Sequence, residues 1–341
     1  MFPKNHWYVA AWGNELKREL LARKICSESV VMFRKSDGTP AAIHDRCWHR
    51  YAPLSLGKLE NDQVTCGYHG LVFNSEGKCT HLPNQERIPP NACVKAFPVV
   101  EKHGFIWLWP GDSEKADDSC IPDLYWNDSP DWRGDGGIVP MSCDYRLLID
   151  NLMDLTHETY VHPTSIGHEL LPAAPIDTQS DGNSVTVTRW IEDHQPATFW
   201  RDAIRGEFKR KDNCDRWQVI TFLPPSCITL DVGVAITGTG ARDGDRSQGV
   251  NGYVINAITP ETENSTLYFW NFVRNFDLDN QDLTQKLHDT NYNVFQEDKA
   301  MLESQQRMIE ESPDVRLASL NIDAGGKRAR MIMDRLIADQ G

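Results

Sequence analysis

The chain has 341 residues, 40% apolar and 25% charged, the balance of an ordinary folded globular protein and too long for one hydrophobic core, so two domains are expected. Its formal net charge of −14 argues against a nucleic-acid surface, which needs clustered lysine and arginine against phosphate. No apolar run reaches the ~20 residues that span a bilayer, and the start Met1-Phe2-Pro3-Lys4-Asn5-His6 lacks the apolar core of a signal peptide; a cytoplasmic chain outside the membrane is expected.

Residues 1–112 read as short strands between turns. Apolar β-formers cluster at 24–33 and 41–44 around the turn Ser36-Asp37-Gly38-Thr39-Pro40, and the pattern recurs at 72–78 and 99–111. No long helical period interrupts them, so an all-β domain is expected, with its loops carrying Cys47-Trp48-His49 and Cys66-Gly67-Tyr68-His69. Two thiolates and two imidazoles in Cys-x-His and Cys-x2-His arms suit a Rieske [2Fe–2S] cluster, one iron held by sulfur and the other by histidine. A structural zinc site is the alternative, but its paired ligands are usually two to four residues apart, not one. Nine cysteines in all, an odd number without dense spacing, suggest no disulfide framework. Seven of them read as small half-buried residues of a reducing compartment.

Residues 113–140, rich in Asp, Pro and Gly, suit an extended connector packed by Trp126 and Trp132. Residues 141–341 form the second domain. Leu148, Leu152, Leu155 and Thr159 fall at helical spacing, and Pro163 should end that helix near His162. Asn151, Asp154 and His157 would then share one face. His162, roughly 140° further round, joins His157 on one metal only if the helix bends or stops between them. Strands are expected at 184–192, 217–223, 227–237, 252–258 and 266–274, with a polar turn at 238–249. A long helix follows at 281–311, its apolar stripe made of Leu283, Leu287, Val294, Met301, Leu302, Met308 and Ile309. Asp298 falls mid-stripe, which is costly unless something positive meets it, and Glu297 falls toward the edge. A last helix at 326–338 carries no candidate site.

Two histidines and one carboxylate on one face of an iron leave the opposite face open for oxygen and substrate, so His157, His162 and Asp298 are the expected ligands of a mononuclear Fe(II). Asp154 would accept a hydrogen bond from a ligand histidine and orient it. Two other classes compete. A zinc hydrolase is suggested by His157-Glu158 followed by His162, but the His-Glu-x-x-His motif sets its histidines four apart, not five. A Rieske electron carrier would have no use for so long a second domain.

Cys47-Trp48-His49-Arg50 followed by Ala52-Pro53-Leu54, Cys66-Gly67-Tyr68-His69-Gly70-Leu71-Val72-Phe73, the run from Asp150 to His162 and Leu320-Asn321-Ile322-Asp323-Ala324-Gly325-Gly326 together resemble the Rieske non-haem iron oxygenase family, on its vanillate O-demethylase branch. Trp48 departs from the family, which usually has Pro there. The resemblance implies an α+β fold: an all-β Rieske [2Fe–2S] domain followed by a helix-grip catalytic domain, an antiparallel sheet with long helices. It implies Cys47, His49, Cys66 and His69 on the cluster, and His157, His162 and Asp298 on iron. Asp154, with Asn151 nearby, would bridge the cluster of one subunit to the iron of its neighbour in a homotrimer. It further implies O2 as co-substrate and a reductase with FMN and a plant-type [2Fe–2S] cluster, fed by NADH or NADPH. The implied reaction is O-demethylation of a methoxylated aromatic acid, such as vanillate to protocatechuate and formaldehyde. An aromatic carboxylate entering so acidic a protein needs a cation or a group of donors. Arg201, Arg205 and Arg216 are candidates for it, and Asn256 and Tyr268 for the ring's polar substituents.

Overall fold

Turn chemistry divides the first hundred residues into more strands than their composition suggests. The computed structural model describes residues 1–163, 174–196, 200, 212–314 and 316–340. It falls into two compact units, one of Met1–Asp123, Thr259–Glu263 and Gln340–Gly341, the other of Leu124–Ile258 and Asn264–Asp339.

The first unit holds ten strands: β1 Tyr8–Trp12, β2 Leu21–Ile25, β3 Glu28–Arg34, β4 Pro40–His44, β5 Lys58–Glu60, β6 Gln63–Thr65, β7 Val72–Asn74, β8 Cys79–His81, β9 Val99–Lys102 and β10 Phe105–Leu108. They make three small sheets, in the orders β1-β10-β9, β2-β3-β4 and β5-β6-β7-β8. The apolar run at 24–33 is thus a hairpin and not one strand. Cys26 and Ser27 both have positive φ and turn the chain between the paired Ile25 and Glu28, a two-residue turn usually announced by Asn-Gly. Val31, Phe33, Ile43, Leu54, Val64, Leu71 and Phe73 share one buried core with Cys47 and Cys66, and Trp48 packs against it half-buried.

The second unit is built on a seven-stranded sheet: β11 Arg133–Met141, β12 Ile176–Ser180, β13 Val185–His194, β14 Cys214–Leu223, β15 Cys227–Ile236, β16 Gly249–Thr262 and β17 Ser265–Arg274, in the order β11-β17-β16-β15-β14-β13-β12. The strand β11 lies within the glycine-rich stretch at 133–141. A Cβ on Gly136 would stand 2.0 Å from the Trp270 carbonyl oxygen across the ladder, so glycine there admits the close approach of β17. Trp126 stacks on Tyr253 at 4.0 Å and Trp132 meets the same ring edge-on at 5.4 Å, the aromatic packing expected of them.

Among the described residues, four helices pack on this sheet or on one another: α1 Tyr145–Leu152, α2 Glu158–Val161, α3 Gln281–Glu311 and α4 Ala324–Ala338. The first expected helix stops at Leu152, ten residues before His162. Asp154 explains the break: its Oδ1 accepts from the Thr156 N–H at 2.6 Å and the Thr156 hydroxyl at 2.7 Å, a local bond that competes with helix continuation. The long helix α3 lies where periodicity puts it, but its buried line runs through Thr284, Leu287, Val294, Phe295, Asp298 and Leu302. Met301 and Met308, expected on the stripe, are 53% and 57% exposed. No described helix is long and apolar enough to cross a membrane.

Candidate metal centres

In the first unit the two Cys/His arms have one design. The Cys47 N–H donates to the Ala52 carbonyl and the Tyr51 N–H to the Cys47 carbonyl; the Cys66 N–H donates to the Leu71 carbonyl and the Gly70 N–H to the Cys66 carbonyl. The fourth residue after each cysteine, Tyr51 and Gly70, has positive φ, so each arm closes as the same tight loop. The cysteines end buried and the histidines exposed, their rings 4.7 Å apart. Burial pushes the Cys47 thiol up to about 11; the backbone N–H groups of His49 and Arg50 work against it, and the facing Cys66 thiol adds to it. Two facing buried thiols and two adjacent imidazoles fit the sulfur and nitrogen donor set of such a cluster.

In the second unit the expected ligands meet. His157 and His162 are the residues flanking α2, so the break at Asp154 and the shortness of α2 set two histidines five apart at opposite ends of one turn. Asp298 comes to them from α3. The Asp298 Oδ1 is 3.6 Å from His157 Nε2 and 3.2 Å from His162 Nε2, and the three ligand atoms lie within 4.8 Å of one another. The Asn151 amide donates to the same Oδ1 at 2.9 Å. Helical phase missed a fourth partner, Glu297, whose Oε2 lies 2.6 Å from His162 Nδ1. Two imidazoles facing a Glu-Asp doublet were the available signal: one acid for the metal, the other for a ring N–H.

Glu297 takes the hydrogen bond of His162 Nδ1, so Nε2 faces the Asp298 Oδ1 at 3.2 Å, a gap that a proton or a bound metal cation can fill. Burial pulls the His162 imidazole down, but Asp298 and Glu297 more than offset this and raise its pKa above the ordinary value. Asp298 is 3% exposed, and a nitrogen, nitrogen and oxygen set around such a gap fits a divalent non-haem iron. Asp154 does not complete the expected hydrogen bond to a histidine among the described residues. Its Oδ1 goes to Thr156, and the buried His157 Nδ1 has no hydrogen-bond partner there.

Beside the histidines lies a buried ionic cluster. The Glu158 carboxylate accepts from Arg189 and from the Gln218 amide at 3.0 Å, and its other oxygen is 3.5 Å from Arg216. Asn256 and Tyr268 are buried and satisfy one another: the Tyr268 hydroxyl donates to Asn256 Oδ1 at 2.5 Å, and the Asn256 amide donates to the Ile228 carbonyl at 2.9 Å. Arg201 and Arg205 lie outside the described residues.

Two family models match this chain: the Rieske [2Fe-2S] domain over residues 6–98 and the vanillate O-demethylase oxygenase C-terminal domain over residues 141–339. The chain belongs to the Rieske non-haem iron oxygenases. As a member, it carries a Rieske [2Fe–2S] domain and, beyond it, a His/His/Asp site for mononuclear iron. It is 44% identical to the vanillate O-demethylase oxygenase subunit of a Pseudomonas species, over 99% of this chain and 96% of that one. It is 39% identical to the toluene-4-sulfonate monooxygenase system iron-sulfur subunit of Comamonas testosteroni, over 99% and 97%. The solved structure of dicamba monooxygenase with non-heme iron and dicamba superposes with a TM-score of 0.84 at 32% identity, over 99% of this chain and 98% of that one.

Proposed function

We propose that this Rieske oxygenase is the oxygenase component of an O-demethylase acting on a methoxylated aromatic acid, with vanillate as the leading candidate. The observation that carries the reading is the convergence of His157, His162 and Asp298 within 4.8 Å in a chain that also bears the paired Cys/His arms. The 44% identity to a vanillate O-demethylase oxygenase subunit across the whole chain supports the choice of substrate.

When bound, the cluster supplies electrons one at a time and the mononuclear iron supplies dioxygen activation. The chain's own residues do the rest. The buried Cys47 and Cys66 and the exposed His49 and His69 would hold the cluster. Asn151 holds the Asp298 carboxylate in place, and Glu297 fixes the tautomer and direction of His162. In the net reaction one oxygen atom of O2 enters a methyl C–H bond, and the other leaves as water with two electrons and two protons. The hydroxymethyl ether then breaks its C–O bond, giving formaldehyde and the free phenol; vanillate yields protocatechuate.

The electrons come from a reductase with FMN and a plant-type [2Fe–2S] cluster, which draws on NADH or NADPH. In a homotrimer, Asp154 links the cluster of one subunit to the iron of the next. The test is formaldehyde trapping from vanillate, veratrate, syringate and simple methoxybenzoates, with reductase and NADH supplied. Formaldehyde and phenol in equal amounts are expected; none from any of these acids, with both iron sites loaded, would overturn the reading. Asp154→Asn should stop turnover while both metal sites stay filled, and full activity would refute the bridging role.

A further inference from the structure

We propose that Arg216 is the anchor for the substrate's carboxylate, an inference that rests on the reading of the protein as an aromatic-acid demethylase and adds how the acid is held. Gln218 and Arg189 are cross-strand partners on β14 and β13, so their side chains share a face. Arg216, two residues from Gln218 along β14, points the same way. That face meets the segment bearing the first iron ligand, because Arg189 Nη1 donates to the Leu155 carbonyl at 2.9 Å and its other Nη to Glu158, the residue after His157.

The two arginines of this cluster are not equivalent. Arg189 is used up by Leu155, Glu158 and Gln218, and Asp154 adds negative charge at its end. Arg216 has only the second oxygen of the same carboxylate, at 3.5 Å, and makes no hydrogen bond among the described residues, although its side chain is 14% exposed. Two guanidiniums therefore share one carboxylate, and the poorly paired one keeps its donor fork free. A largely buried arginine in that state is costly unless a second anion meets it, and a planar carboxylate is the group its fork matches. An aryl carboxylate docked there stands one ion pair and one residue of sequence from an iron ligand.

The experiment is anaerobic calorimetry on the holoenzyme with 4-methoxybenzoate and its neutral isostere 4-methoxybenzamide, for the native chain, Arg216→Gln and Arg216→Lys. The native chain should prefer the acid. Arg216→Gln should reduce that preference roughly tenfold to a hundredfold, the range for hydrogen bonds to charged groups, and Arg216→Lys should restore part of it. Glu158 keeps Arg189 and Gln218 in these variants, and iron content and circular dichroism report whether they fold. Should Arg216→Gln fail that check, a reduced preference in Arg216→Lys alone supports the anchor, since it keeps the charge and loses the fork. An unchanged preference in the folded variants overturns it, as does equal binding of acid and amide by the native chain. Selectivity that depends on Arg216 without any formaldehyde would sink the demethylase reading and leave the anchor standing. Formaldehyde with unaltered selectivity would sink the anchor alone.

Discussion

The Cys/His arms of the first unit and the His/His/Asp site of the second place their ligands by different means. Each arm is a loop closed by two backbone hydrogen bonds between a cysteine and the residues four and five positions on, so its ligand geometry is set within six residues. The second site joins α2 to a helix far along the chain: Asn151 and the Asp298 it supports are 147 residues apart. Short-range placement leaves a trace in spacing, whereas long-range placement depends on where helices stop and which faces they bury.

That contrast can be broken or sharpened by mutation. The largest effect should come from Cys66→Ser, which should abolish acid-labile sulfide, cluster absorption and turnover while leaving the mononuclear iron measurable. Parallel loss of that iron would mean the two sites are not independent. His162→Ala should do the reverse, with turnover below detection and the cluster spectrum kept, as checked by iron analysis and electron paramagnetic resonance. Glu297→Gln is expected to be milder. It should weaken binding of Co(II), used as a probe for iron, by about 10–100-fold, read from titration of its visible spectrum; unaltered affinity would reduce Glu297 to a bystander. The smallest effect belongs to the loops. Gly70→Ala puts a side chain at φ of +74° and should cost about 1–2 kcal/mol in thermal unfolding, whereas Tyr51→Gly, at the matching position, should cost less or stabilise.

What the chain discloses in advance follows the same division. Helix α3, the main strands of the large sheet and both Cys/His arms could be read because period, composition or spacing is local to each. The hairpin at Cys26-Ser27 escaped because neither residue announces a left-handed turn. The strand β11 was hidden by glycines whose purpose is the nearness of Trp270. The three ligands of the second site were legible as a buried acid and two histidines at an awkward interval. The device that resolves the interval was legible only in part: α2 does end at Val161, just before His162 and Pro163, but the earlier stop at Asp154, where a side chain takes the Thr156 N–H, was not foreseen. Glu297 was discounted because a helical wheel ranks burial and does not see an imidazole arriving from another helix.

The distance along the chain between the two halves of the second site has a consequence for endurance as well as chemistry. An ion gripped by both ends of α2 and by α3 acts as a removable cross-link across a very long loop, and its binding energy adds to the folding energy of the parts it joins. Chelation should therefore expose the region around His157 and His162 to protease before the small sheets of the first unit are cut, a sequence of cleavage that peptide mapping would reveal. Iron supply would then govern how long the protein survives, in addition to how fast it works.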